Sequence, residues 1–395
     1  MAGTHAILAP SAAGRWLACP PSARFEEQIP EVDTPYSREG TLAHDLAAHI
    51  LEGRAGLYKG PASGYNRRLM LIEGRVRAFY QEIDQPNAFA AMLDFAEDWA
   101  AFVRDQVPLM GRHELLIERR LDMSQFAPLC HGTTDASVFT PHVLYVNDYK
   151  YGSGVRVSAV ENKQMMLYAL GALLEAHRLG YEPNIVVMSI FQPRVSEMAS
   201  QWEIDTADLL DWAEESLAPA ARLAIAGMGD FNAGPHCQFC KARTSCRAYY
   251  THFGELLRVS DRRQITSGEL GKVLAFGPGV ASWIKKVIDD TRLKMLNGYK
   301  VDGFKLVAGR QTRKFINEDV TVDIMLGEGY DTDQMFRTEL RPLSELEGLI
   351  GKKKFAAIMA DNITRVEGNP QIVDGEDDRP EVGAGGAAEY DDDLL

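Results

Sequence analysis

Cysteine is scarce in this chain. Five cysteines among 395 residues are too few for a secreted disulfide scaffold, and their odd number leaves at least one unpaired, which fits a reducing, cytoplasmic setting. The step Leu17-Ala18-Cys19 has the outline of a lipoprotein cleavage site, but Pro10 and Arg15 interrupt any apolar run before it. No apolar stretch approaches the roughly 20 residues that span a bilayer, so no membrane partner is expected. Positive charge is also in deficit: 42 Lys and Arg against 56 Asp and Glu give −14, which argues against non-specific coating of a polyanion. Much of that charge sits at one end. Residues 374–395 carry nine acids and one Arg, a balance of −8, and leave only −6 for the remainder, so a local basic groove or a phosphate-handling metal site is compatible with the total.

What is present is ordinary for a globular protein: 46% hydrophobic and 9% aromatic residues, in a length that suits two or three folding units. Leu42, Leu46, Ile50 and Leu51 recur at helical spacing between Thr41, a candidate N-cap, and Gly53, which places His44 in the first turn of a helix over 40–53. Residues 54–68 are Gly-rich and read as loop, within a helical insertion of about 54–108 whose clearest helix is 88–105. The period then changes. Apolar runs at 114–121, 134–139 and 142–149 read as three strands, followed by a helix at 161–179, strands at 184–191 and 202–204, and a helix from Thr206. The fold class is therefore α/β, an αβββαβ mixed sheet flanked by helices.

Farther on, a capping box of Thr266 and Glu269 opens a helical pattern at 266–297 with an interruption at Gly277-Pro278-Gly279. A strand or turn at 303–308 and helices near 318–327 and 345–360, the last behind Ser344 and Glu347, complete a mainly helical C-terminal region of 254–367. Residues 368–395 have the composition of a disordered acidic tail, and no internal repeat is present.

Chemistry concentrates on two of the predicted strands. Asp135 lies in H-G-T-T-D-A-S-V-F and Asp148 in V-L-Y-V-N-D-Y-K-Y-G, with Lys150 two residues beyond and hence on the same strand face as Asp148. Two carboxylates brought together repel unless a divalent cation lies between them, and hard oxygen donors select Mg2+ or Mn2+. Such a cation can bind a phosphoryl oxygen and activate a water, with Lys150 placed to orient that water or offset developing charge. A second cluster, Cys237, Cys240 and Cys246 in C-x2-C-x5-C, supplies three thiolates that require a fourth ligand. Four thiolates suit either an iron-sulfur cluster or structural zinc.

In order and context these elements resemble the PD-(D/E)XK nucleases, within them the RecB-like iron-sulfur branch and related phage-encoded proteins. G-T-L-A-H resembles the helical histidine motif of that branch, G-T-T-D-A its first acidic motif, D-Y-K its D/E-X-K motif, and Gln164 to Tyr168 its Q-x-x-x-Y motif. The resemblance covers about residues 10–250. It implies a restriction-endonuclease-like core in which His44, Asp135, Asp148 and the backbone carbonyl of Tyr149 ligate Mg2+ or Mn2+, Lys150 serves catalysis, and Gln164 and Tyr168 place DNA. It also implies that Cys19 joins Cys237, Cys240 and Cys246 around a 4Fe-4S cluster within a nuclease domain of residues 1–253, in a bacterial or phage-infected cell. A metal-dependent DNA exonuclease of recombination, replication or repair follows. The alternatives are a DNA-binding scaffold that keeps the fold without needing catalysis, and a zinc-stabilised interaction module.

Three features lie at the margin of that reading. Glu118, followed by Arg119 and Arg120, is either an auxiliary carboxylate or part of a solvated edge. Arg67, Arg68, Arg75 and Arg77 interleave with Tyr58, Tyr65, Phe79 and Tyr80, which would allow base stacking along a single-strand channel. The terminal E-Y-D-D-D-L-L is either a solubilising tail, a peptide that recruits a replication or recombination protein through its leucines and aspartates, or a competitor for the protein's own DNA groove. Cys130 reads as a small buried hydrophobe, and His236 as a substitute ligand.

Overall fold

A computed structural model describes residues 6–256 apart from 28, 30–33, 84, 86–87, 155 and 197, together with residues 267–305, 320, 322, 324, 326 and 351–359. Five strands form one sheet in chain order: β1 (Glu114–Asp122), β2 (His131–Phe139), β3 (Val143–Tyr149), β4 (Ile185–Phe191) and β5 (Ser200–Asp205). All neighbours are antiparallel except β3 and β4, which run parallel because helix α6 (Lys163–Arg178) crosses between them. The expected mixed sheet flanked by helices is thus the observed architecture.

Helices cover both faces. On one face α6 buries Met165, Leu167, Leu170 and Leu173 against Leu144, Val146 and Met188, with α1 (Ala13–Ala18), α2 (Ser22–Glu27) and the residues of 209–224 closing the layer. The other face meets α3 (Pro35–Arg54), α4 (Ala62–Glu82) and α5 (Phe89–Asp105), whose Leu46, Val76, Met92 and Trp99 share a core with Val138, Tyr149 and Tyr151. Two glycines permit close approach. A Cβ on Gly171 of α6 would lie 2.6 Å from Met123 Sδ, and one on Gly132 of β2 would lie 2.9 Å from Pro10 and 3.0 Å from Tyr168.

Several boundaries differ from expectation. Helix α3 starts at Pro35, not near Thr41, because Thr34 and Ser37 cap each other reciprocally and Pro35 fits the first helical position, so His44 lies well inside the helix. Thr41 instead donates its hydroxyl to the Ser37 carbonyl. Residues 62–68 of the expected 54–68 loop are instead the first turns of α4, which buries Ile72, Val76, Phe79 and Tyr80 at helical spacing. A helix over Ser267–Leu296 runs through Pro278 without interruption, since the one hydrogen bond lost there is outweighed by the helix on either side. Its expected cap, Thr266, lies outside the described residues, as do Ser344, Glu347 and the tail of 368–395. Val301 and Phe304 form an isolated bridge, and the helix expected at 345–360 is seen over Lys352–Met359.

Candidate active site

The site forms at one end of the sheet, where α3 from one face and α6 from the other meet β1, β2 and β3. His44 of α3 places Nδ1 3.2 Å from Asp135 Oδ1, and its ring stands edge-on to Tyr149 at 5.7 Å between centroids. The other Asp135 oxygen accepts a hydrogen bond from the Tyr149 amide at 2.7 Å, which fixes the carboxylate between β2 and β3. Ligand atoms of His44, Glu118 and Asp135 all lie within 4.8 Å of one another.

Glu118 arrives there by a local break in β1. Ile117 pairs with Ala136 and Arg119 with Thr134, so Glu118 stands opposite Asp135, at a φ of 48° that a non-glycine residue seldom adopts. The break also shifts the alternation: Leu116 and Leu121, of opposite parity, both face the α6 layer. Simple period-two reading fails for that reason, and the assignment of Glu118 was ambiguous in the sequence. Burial of its head and the neighbouring Asp135 raise the Glu118 carboxyl to about 7, although solvent reaches the side chain. Burial alone would depress the His44 imidazole, but Asp135, followed by Asp148 and Glu118, outweighs it and raises it to about 9. A raised imidazole and a raised carboxyl thus crowd against Asp135, the condition a cation between them would relieve.

Beside this cluster Asp148, 4% exposed, lies 3.0 Å from Lys150 Nζ through Oδ2 and accepts from Gln164 Nε2 at 3.2 Å through Oδ1. Gln164 Oε1 in turn lies 3.3 Å from Lys150 Nζ. Burial opposes the charged lysine, yet Asp148, with Asp135 behind it, keeps Lys150 above its ordinary value. Gln164 is placed by the start of α6, where Asn162 Oδ1 caps the amides of Gln164 and Met165. Tyr168, one turn along, is buried beside Gly132 and Gln164, so its body packs under the site.

The cysteines converge elsewhere. Cys19, at the end of α1, lines one small cavity with Cys237, Cys240, Cys246 and His236, while Cys130 is fully buried in the main core apart from them. Burial followed by the nearby Glu26 carboxylate pushes the Cys240 thiol up to about 12. The arginines and aromatics of α4 are otherwise engaged: Arg68 pairs with Glu52, Arg75 with Asp45 and Arg77 with Glu73. Tyr65 stacks on buried His49 at 4.1 Å, Tyr58 meets both edge-on, and Phe79 and Tyr80 are buried. Among the described residues these rings pack α4 against α3 and form no row of exposed stacking faces. Among the described residues no helix is long and apolar enough to cross a membrane.

Two solved structures show distant likenesses. A candidate exonuclease from Eubacterium rectale is 10% identical with a TM-score of 0.31, over 67% of this chain and 92% of its own. The protein SSO0001 is 12% identical with a TM-score of 0.23, over 60% of this chain and 97% of its own. A family model described as a protein of unknown function, DUF2800, matches residues 5–380, and the chain belongs to that family.

Proposed function

We propose that the chain is a divalent-metal-dependent deoxyribonuclease that hydrolyses phosphodiester bonds, acting as an exonuclease in phage or bacterial DNA metabolism. The observation that carries this reading is the convergence of His44, Glu118 and Asp135 within 4.8 Å, next to a lysine held by Asp148 and Gln164. The donor set fits the metal: carboxylate oxygens with one imidazole suit Mg2+ or Mn2+, and their mutual repulsion is relieved when the ion binds. His44, Asp135 and Glu118 would hold it, with Asp148 and the Tyr149 carbonyl completing the shell expected from the sequence. The ion, when bound, supplies a Lewis acid for a phosphoryl oxygen and lowers the pKa of a coordinated water.

The chain's own groups do the rest. Lys150 is kept charged and aimed by two acceptors, so it can hold the attacking water or a non-bridging phosphate oxygen without reorganising. Tyr149 N–H holds Asp135 in orientation, and Tyr168 supports Gln164 from below. We assign the four cysteines to a 4Fe-4S cluster, with structural zinc as the alternative. The four cysteines line one small cavity, a donor set that suits either group.

The test is digestion of end-labelled single- and double-stranded DNA with Mg2+ or Mn2+, beside an Asp148→Ala control. Metal-dependent loss of label that the control lacks is expected; equal rates in both proteins would overturn the assignment.

A further inference from the structure

Glu26 is a carboxylate on α2 that is 9% exposed, and neither the sheet site nor any sequence motif accounts for it. Its Oε2 accepts from Arg15 Nε at 3.1 Å, on the helix that ends at Cys19. Its Oε1 accepts from the backbone amide of Lys241 at 2.5 Å, across 215 residues of sequence and immediately after Cys240. Arg15 also lines the cavity that the four cysteines share. One buried acid therefore bridges the two chain segments that bring those sulfurs together. A buried charge of this kind is costly unless its lone pairs have specific partners, and here the partners are an arginine, an amide of the cysteine loop and the Cys240 side chain.

We propose that the Arg15–Glu26 pair is a clamp that preassembles the cysteine centre, holding the 237–246 loop against Cys19 before metal enters. Glu26 is a positioning residue: it grips the backbone between Cys240 and Cys246 and does not need to touch the metal. The clamp rests on the reading of the four cysteines as one metal centre, but it acts in the metal-free protein and can be judged there. Two neighbouring contacts reinforce the same closure, Arg24 Nε to the Ile225 carbonyl at 2.8 Å and Asn232 Nδ2 to the Ala18 carbonyl at 3.0 Å, but neither reaches the loop between the cysteines.

The experiment compares wild type, Glu26→Gln and Glu26→Ala as full-length proteins. In chelator-stripped protein, alkylation of each cysteine is timed by peptide mass spectrometry. Losing a hydrogen-bonded charge should speed modification of Cys240 and Cys246 by about tenfold in Glu26→Ala, with Cys130 unchanged. Glu26→Gln, which keeps an acceptor for Lys241 N–H, should fall between the two and serves if the alanine variant does not fold. In metal-loaded protein, release of iron or zinc to a chelator should quicken in the same order. Rates within twofold of wild type, or equal acceleration at Cys130, would overturn the clamp. A wild type that takes up no metal would instead remove the centre, and the alkylation series would still decide the clamp.

Discussion

Glu118 faces Asp135 across β1 and β2 at the step where Glu118 takes a left-handed φ of 48°, between the pairs Ile117–Ala136 and Arg119–Thr134. The strained residue turns what would be an ordinary ladder step into two carboxylates directed at His44. Glu118→Gln should therefore weaken Mn2+ binding by about tenfold, read by calorimetry, because one anionic donor is lost. Unchanged affinity would make Glu118 a bystander.

Asp135→Ala and Asp148→Ala are each expected to lower DNA hydrolysis at least ~1,000-fold while the fold persists by circular dichroism. Lys150→Ala should lose activity to a similar degree and keep Mn2+ binding. Gln164→Ala should cost about tenfold in kcat, since Lys150 then has Asp148 alone to aim it. Full activity in either aspartate variant would end the nuclease reading.

Metal affinity should rise with pH. His44, raised to about 9, must shed its proton to ligate, and Glu118, raised to about 7, must do the same, so Mn2+ binding weakens below pH 9 and more steeply below pH 7. Calorimetry at pH 7.5 in buffers of different ionisation enthalpy should show release of about one proton or more. The metal-free protein behaves oppositely. Its His44–Asp135 pair stabilises fully below the unfolded histidine value of about 6.5 and is lost as pH rises through 9, so its melting temperature should fall over that window.

Cys19→Ser should lower bound iron or zinc together with melting temperature, and retention of full metal content would separate Cys19 from the 237–246 loop. Cys130 differs. It is fully buried in the apolar core beside Met123, so Cys130→Ser hides a hydroxyl in an apolar site and should cost ~1–3 kcal/mol without loss of metal, whereas Cys130→Ala should cost less. Denaturant melts and metal analysis on the same preparations separate the two effects.

The parts of the site governed by local periodicity were legible in the sequence. Asp148 and Lys150 share a face because strand side chains alternate, and Gln164 sits where a helix start was expected. Where a single residue breaks the local rule, the reading stopped: Glu118 reverses the alternation of β1, and Thr34, not Thr41, opens α3 because Pro35 and Ser37 cooperate in the cap. The arginines and tyrosines of α4 carried a pattern that composition alone could not assign, and their partners turned out to be Glu52, Asp45, Glu73 and His49. Glu26 left no signature at all, since the meaning of an acid is set by an amide 215 residues away.

That distance has a consequence during synthesis. Arg15, Cys19 and Glu26 leave the ribosome more than 200 positions ahead of Lys241 and Cys246. At ~5–20 residues per second the early helices wait roughly 10–40 s with a charged acid and a thiol lacking their final neighbours. The sheet and its carboxylate-lined end are complete in the nascent chain before this closure is available, so the two regions mature in sequence. Of the two, the cysteine-lined cavity closes later, and its early thiol is the one left open to oxidant in the interval.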